Sequence, residues 1–152
     1  MNTQALTYFT CGLLGAGSVT AAPAASHARA AWLSESTSCE AGQPLQTAVR
    51  LEVDAGWHVY WCNPGEGGMP TTIDWRLPPG WTAGPLGQPL PRRFVTSGLH
   101  GFGHEGTVLL PVTLTAPADF TGRAKLEATL SWLTCHDDAC VPGEARLELE
   151  VA

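Results

Sequence analysis

Two cysteines near the C-terminal end of the chain, Cys135 and Cys140, are the residues best placed to do chemistry. They bracket the segment Cys-His-Asp-Asp-Ala-Cys, followed by Val-Pro-Gly, between the end of one predicted strand and the start of the next. Two thiols this close at an exposed strand end can form and break a disulfide without unfolding the chain. Their spacing therefore favours a redox-active pair.

The residues between the two cysteines are expected to affect how readily a thiolate forms. His136 could stabilise a Cys135 thiolate, whereas Asp137 and Asp138 should oppose it. We therefore expect an ordinary thiol that other thiols attack, which suits a carrier better than a strong oxidant.

The other cysteines of the chain suggest a structural bridge. An exported chain that loses Cys11 keeps an even number of cysteines, which favours disulfides but leaves three possible connectivities. A Cys39–Cys62 bridge would close a loop of about 24 residues and contribute roughly 3.4 kcal/mol on the chain-entropy model. The Cys135–Cys140 loop of about six residues would contribute only roughly 2 kcal/mol. Stabilisation thus explains a Cys39/Cys62 structural disulfide better than it explains the second pair.

The elements that must position these cysteines are predicted to be β-strands. Apolar and polar residues alternate with a period of two, which is typical of antiparallel strands with one face on a core. The alternating runs are 45–53, 108–114, 125–132 and 146–151, with shorter candidates at 31–36, 57–61 and 72–76. About seven strands separated by Gly/Pro turns predict an all-β fold, an immunoglobulin-like antiparallel β-sandwich. The segment 63–102, rich in Gly, Pro and Trp, is predicted to be mainly loop.

The alternation also predicts which way the first cysteine of the pair points. If Trp132 faces the core, Cys135 lies on the other, more exposed face of the strand.

Composition narrows the class of protein. With 152 residues, one domain is expected, and a charged fraction of only 14% with 17 glycines and 12 prolines suits a domain of short strands. The net charge of −6 and the scattered basic residues argue against nucleic-acid binding.

The N-terminal segment differs from the rest. Residues 1–25 carry no charged side chain, and a small, apolar run ends in Ala-Ala-Pro-Ala-Ala. This pattern predicts a secretory signal cleaved between residues 22 and 30, although no Lys or Arg precedes the apolar run. An uncleaved signal acting as a membrane anchor is the alternative. The remaining domain, 26–152, is then expected to be exported.

Other chemistry is weakly supported. Histidines such as His58 and His104, together with the cysteines, could bind copper or zinc, but their spacing matches no known metal motif. The tryptophans are expected in the core rather than on a carbohydrate platform. No cofactor, metal or small-molecule substrate is predicted.

Several motifs resemble the N-terminal periplasmic domain of the DsbD/ScsB thiol–disulfide interchange family, over roughly 26–152. They are Trp57-His58-Val59-Tyr60-Trp61, Asn63-Pro64-Gly65, Gly68-x-Pro70, Ile73-Asp74-Trp75, Leu77-Pro78-x-Gly80-Trp81, Leu109-Leu110-Pro111-Val112, and Trp132-Leu133-x-Cys135 with Cys140-x-Pro142-Gly143. The resemblance implies an immunoglobulin-like domain whose dithiol, here Cys135 and Cys140, passes electrons from a membrane-embedded thiol relay protein to periplasmic thioredoxin-like proteins, including those of cytochrome c maturation.

The resemblance further implies a cap loop that shields the pair, with Leu99, His100 and Phe102 as the shielding side chains. Two departures stand out. Four residues separate the cysteines where the best-known DsbD domain has five, and Cys62 stands where relatives tend to have a polar residue. A full relay also requires a membrane domain and a thioredoxin domain, which separate chains or a longer protein would supply.

Two alternatives remain open at this point. One is a redox-inert β-sandwich that serves as an interaction module, with structural disulfides only. The other is a copper- or zinc-binding periplasmic protein.

Overall fold

The computed structural model describes residues 26–137 and 139–152, so the predicted signal segment and Asp138 lie outside the described residues. Ten strands follow one another in these two ranges: β1 (Ala28–Ser34), β2 (Pro44–Val53), β3 (His58–Gly65), β4 (Thr72–Arg76), β5 (Thr82–Ala83), β6 (Arg92–Thr96), β7 (Leu99–Glu105), β8 (Thr107–Thr115), β9 (Ala124–His136) and β10 (Ala139–Val151). The described ranges contain no helix long and apolar enough to cross a membrane.

The strands form two antiparallel sheets. One sheet has the order β1-β2-β8-β5, and the other has the order β10-β9-β3-β7-β6. Strand β4 pairs with β9 as well, so β3 and β4 line successive stretches of the same edge of β9. The immunoglobulin-like antiparallel β-sandwich predicted from the sequence is confirmed.

The core lies between the two sheets, where alternation turns one face of each strand inward. Leu51 and Leu110 from the first sheet and Leu126 and Leu130 from the second are at most 1% exposed and belong to one hydrophobic cluster. Burying each such side chain stabilises the fold by roughly 1.5–3 kcal/mol. A small disulfide loop contributes no more than one of these leucines, so the core can hold the sandwich together whether the loop is open or closed.

Most of the predicted strands are present, and the errors lie within 63–102. The four long alternating runs are confirmed as β2, β8, β9 and β10, and 72–76 is β4. The segment 63–102, predicted as loop, instead contains the short β5 and a hairpin of β6 and β7. Glycines at positions 101 and 103 hide the alternation of β7, and a register shift between Tyr60 and Gly65 interrupts β3.

The β9–β10 hairpin is the element that carries the cysteine pair. Its strands have 13 residues each and remain paired from Ala124↔Val151 to His136↔Ala139. Asp137, with a φ of 47°, begins the turn, a left-handed conformation that aspartate tolerates well. The register therefore makes Cys135 and Cys140 direct cross-strand neighbours at the turn end of a long, rigid hairpin.

Candidate functional site

Cys135 and Cys140 are joined by a disulfide across the β9–β10 hairpin, with the S–S distance 1.98 Å and the Cα atoms 4.2 Å apart. The two halves of the bridge differ sharply in exposure. Cys135 is 0% exposed, whereas Cys140 is an exposed residue. A thiol or disulfide arriving from solvent therefore reaches Cys140 and not Cys135.

The exposure predicted for Cys135 is wrong, although its predicted face is right. Trp132 and Thr134 project from β9 into the sandwich, and Cys135 projects from the outer face. Its register partners on the two flanking strands are His58 of β3 and Cys140 of β10. Side chains directly opposite one another on a sheet face are neighbours, so Cys135 is enclosed between them.

His58 is the most closely placed titratable neighbour of Cys135. The two residues are register partners, and His58 is only 6% exposed. Its ring stacks on Phe94, with centroids 4.4 Å apart, and its Nε2 lies 3.5 Å from the Thr96 hydroxyl. Burial lowers the pKa of His58 below its ordinary value, Glu105 partly opposes this change, and His136 adds to it. The ring beside the disulfide is therefore neutral at pH 7.

Glycines in β7 let the rings of His58, Tyr60 and Phe94 form an aromatic cluster that crosses three strands. Strand β7 lies between β3 and β6, and Gly101 and Gly103 put no side chain on the outer face between their strands. The rings of His58 and Phe94 can therefore meet over β7. Gly68, with a φ of 95°, faces the ring of Tyr60, and a Cβ there would collide with that ring.

Tyr60 completes the aromatic cluster around His58. It is 4% exposed, and its ring meets that of His58 edge to face at a centroid distance of 5.2 Å. Burial raises the pKa of the Tyr60 phenol. The phenol thus stays neutral, so the wall of the site carries no charge from this residue.

A shallow pocket opens beside Cys140 on the outer face. The tip of the β6–β7 hairpin forms one wall, where Ser97 and Gly98 both have positive φ, and 67–68 forms the other. Its lining comprises Tyr60, Gly67, Gly68, Thr96, Ser97, Leu99, His100, Gly101 and Cys140. Of the three residues predicted to shield the pair, Leu99 and His100 are therefore brought to Cys140.

Phe102, the third predicted shielding residue, is not brought to the pair. Strand β7 pairs Glu105 with His58 and Gly103 with Tyr60, so these positions share the outer face with the disulfide. Phe102 is one residue out of phase and therefore lies on the other face. Phe94, which the sequence did not single out because it lies within the presumed loop, supplies the aromatic ring on the outer face instead.

The Cys39–Cys62 disulfide, which the sequence offered as a possible bridge, is not formed, since both cysteines are free. Cys39 donates its backbone N–H to Ala152, at the end of β10 opposite to the Cys135–Cys140 bridge. Cys62 is exposed on β3, where its N–H bonds to the Gln88 side chain. The two thiols thus lie on different parts of the sandwich, and burial raises the pKa of Cys39.

His136, which the sequence placed next to the Cys135 thiolate, points away from it. Consecutive residues of a strand face opposite sides of the sheet, and the His136 ring lies 5.6 Å from Trp57. Trp57 stacks in turn on His27 at 3.6 Å. The histidine on the same face as Cys135 is therefore His58, which comes from another strand.

The residues that were considered as metal ligands are spread over different parts of the site. His58 and Cys135 face outward, His136 faces Trp57, and His104 pairs with Val59 on the inner face of β7. Within 26–137 and 139–152, no group of three or more His, Cys, Asp or Glu side chains is placed to hold a metal ion.

Comparison with known proteins agrees with this geometry. Residues 29–152 match the sequence profile of the family described as thiol:disulfide interchange protein DsbD, N-terminal. The chain belongs to the DsbD N-terminal domain family. This membership covers nearly all the described residues, including both cysteines of the bridge, and it makes the chain a thiol–disulfide interchange domain. The family resemblance that the motifs indicated is thereby confirmed.

Two of the matching solved structures differ widely in their similarity to the chain. The N-terminal periplasmic domain of ScsB from Proteus mirabilis has a TM-score of 0.62 and 23% identity, over 81% of this chain and 46% of that one. The chain thus spans about half of that ScsB domain. A yeast GGA1 GAE domain has a TM-score of only 0.40 and 12% identity, over 80% of this chain and 91% of that one. This similarity is too low to indicate a shared fold. No curated protein sequence matches the chain.

Proposed function

We propose that this domain is a periplasmic thiol–disulfide carrier. Its Cys135/Cys140 dithiol accepts electrons from a membrane-embedded thiol relay protein and passes them to periplasmic thioredoxin-like proteins. The observation that carries the proposal is the cross-strand bridge itself, which joins an exposed sulfur to a buried one in a domain of the DsbD N-terminal family. The bridge lies outside the hydrophobic core, so opening it leaves the core intact.

The unequal exposure of the two sulfurs supports an order of events. In the reduced domain the Cys140 thiolate attacks the disulfide of a partner, forms a mixed disulfide and releases one partner sulfur as a thiolate. The Cys135 thiolate then attacks Cys140, which re-forms the bridge and releases the second partner sulfur. Two electrons leave the domain, and the partner becomes a dithiol. Re-reduction of the Cys135–Cys140 disulfide follows the same steps in reverse, with a donor thiolate attacking the accessible Cys140 sulfur.

The β6–β7 hairpin tip supports a shielding role in the same cycle. Leu99 and His100 line the pocket beside Cys140, and Leu99 is 49% exposed. The tip would then slow the approach of small thiols without closing Cys140 off from solvent, and a docking protein would displace the tip to reach Cys140 fully. We assign this tip as the counterpart of the cap that the family resemblance implied, with Phe102 left out of it.

The location and the partners belong to the proposal as well. Disulfides persist mainly in oxidising compartments such as the bacterial periplasm, and the ScsB domain with a similar fold is described as periplasmic. The predicted signal in residues 1–25 would export the domain. Since DsbD-family domains interact with thioredoxin-like proteins and with membrane domains, we assign both as the classes of partner.

Electron transfer to a protein partner tests the proposal. The reduced domain, freed of reductant, is mixed with one equivalent of an oxidised thioredoxin-like protein, and thiols are trapped with acid and alkylated over time. We expect the partner to gain two thiols as Cys135 and Cys140 lose theirs. A partner that stays oxidised while the domain stays reduced would contradict the carrier function and favour the redox-inert module.

A further inference from the structure

The second step of this exchange raises a chemical problem at Cys135. A thiol must lose its proton before it can attack a disulfide, and Cys135 is fully buried. Water is therefore poorly placed to take that proton. A neighbouring base is needed, and the surroundings of Cys135 can be searched for one.

The candidate bases around Cys135 are few. His136 lies on the opposite face of β9, with Nδ1 3.5 Å from an Asp137 carboxylate oxygen and its ring beside Trp57. Glu105 is the register partner of His58 on the far side from Cys135, and it forms an ion pair with Arg92 at 3.5 Å. Neither group faces the buried sulfur. His58, the direct register partner of Cys135, is its cross-strand neighbour on the same face of the sheet.

We propose that His58 is the proton acceptor for Cys135 in the resolving step. This inference rests on the proposed carrier function and adds a residue to it. The proton of the Cys135 thiol moves to the His58 imidazole as the Cys135 sulfur bonds to Cys140. The bond between Cys140 and the partner breaks, the partner sulfur leaves as a thiolate, and it is protonated by solvent or by His58.

The setting of His58 fits this task. Its ring is held between Phe94 and Tyr60, and its Nε2 lies 3.5 Å from the Thr96 hydroxyl, so the imidazole is fixed on the face of the sheet that carries Cys135. Burial among these groups favours the neutral ring, the form that can accept a proton. Glu105 favours the protonated form once the proton has moved, and His136 opposes it.

The test follows the two steps separately with oxidised glutathione. The reduced domain is mixed with glutathione disulfide at pH 7, quenched with acid, and mapped by peptide mass, which separates adducts at Cys140 from those at Cys62. In His58→Gln we expect the Cys140–glutathione adduct to form at the wild-type rate. Its conversion to the Cys135–Cys140 bridge should slow at least about tenfold, within the range of general base catalysis.

His104→Gln is the matched control. His104 is a buried histidine of similar exposure, 8% against 6% for His58, and burial lowers its pKa too. It lies on the inner face of β7, opposite Val59, and has no path to Cys135. His104→Gln should therefore resolve the adduct at the wild-type rate. Equal resolution in the wild type and in folded His58→Gln would overturn the proposal.

The pH profile of the wild type tests the proposal even if the His58→Gln variant does not fold. If His58 accepts the proton, the resolving rate should rise with pH through the titration of His58, below the ordinary pKa of histidine, and then level off. A rate that climbs about tenfold per pH unit from pH 5 to 8, as ionisation of a free thiol would give, contradicts the role of His58. Because glutathione replaces the protein partner, a failed transfer to thioredoxin-like proteins would not affect this result.

Discussion

Replacing Cys140 with serine should abolish thiol–disulfide exchange by the domain. Cys140 is the exposed sulfur of the bridge, and without it an incoming disulfide meets only Cys135, which is 0% exposed. We expect electron transfer to an oxidised thioredoxin-like protein to fall at least about a hundredfold, to the rate of buffer alone, because one sulfur cannot complete the exchange. Acid-quenched thiol trapping measures this rate.

Cys135→Ser should be equally inactive in turnover and should stop at a later step. The exposed Cys140 thiol can still attack, so a mixed disulfide with the partner should accumulate and persist. A non-reducing gel shows it as a covalent complex that disappears on adding dithiothreitol. Cys140→Ser should give no such complex.

Cys62→Ser is the matched control for both variants, since Cys62 is exposed and free. It should exchange electrons at the wild-type rate. Equal trapping by Cys135→Ser and Cys140→Ser would mean that the two sulfurs are equally accessible, contrary to their positions on the hairpin.

Gly103→Ala should have the largest effect on stability of any conservative change near the site. A Cβ at this position would collide with the carbonyl oxygen of Val59 on the neighbouring strand. Both atoms are fixed to backbone, so only a separation of β7 from β3 relieves the contact. We expect a loss of at least about 3 kcal/mol in the free energy of unfolding, measured by urea denaturation of the oxidised domain.

Gly84→Ala is the control for the glycine effect itself. The nearest atom to a Cβ at Gly84 is the Thr113 carbonyl oxygen at 3.4 Å, an ordinary contact. The free energy of unfolding should therefore change by less than about 1 kcal/mol. If Gly103→Ala were as stable as Gly84→Ala, strand β7 could not be packed against β3 as described.

The same close approach explains why only part of the fold was predictable. Strands β2, β8, β9 and β10 show regular alternation because each buries one full face, so a period-two pattern was enough to find them. Strand β7 instead carries glycines where neighbouring backbones and rings come close. Glycine contributes no apolar signal, and the segment consequently resembled a loop.

The residues of the site were likewise only partly predictable from the sequence. The cysteine pair was predictable because its two members are close in sequence, and a hairpin preserves that closeness. His58 is 77 residues before Cys135 by number and meets it only through the β3–β9 pairing. Sequence neighbours pointed to His136 instead. The possible Cys39–Cys62 bridge is absent for a related reason. The chain-entropy model depends only on loop length, and it contains nothing about the distance between the two cysteines in the fold.

The reduction potential of Cys135/Cys140 tests most directly whether the pair cycles. The domain is equilibrated in glutathione or dithiothreitol buffers, the thiols of the pair are quantified by alkylation and mass mapping, and the fold is followed by circular dichroism. We expect a potential within roughly −180 to −270 mV, the range of catalytic thiol proteins, with the sandwich retained when the pair is reduced. A potential below about −300 mV, with loss of the fold on reduction, would make the bridge a structural staple and contradict the account.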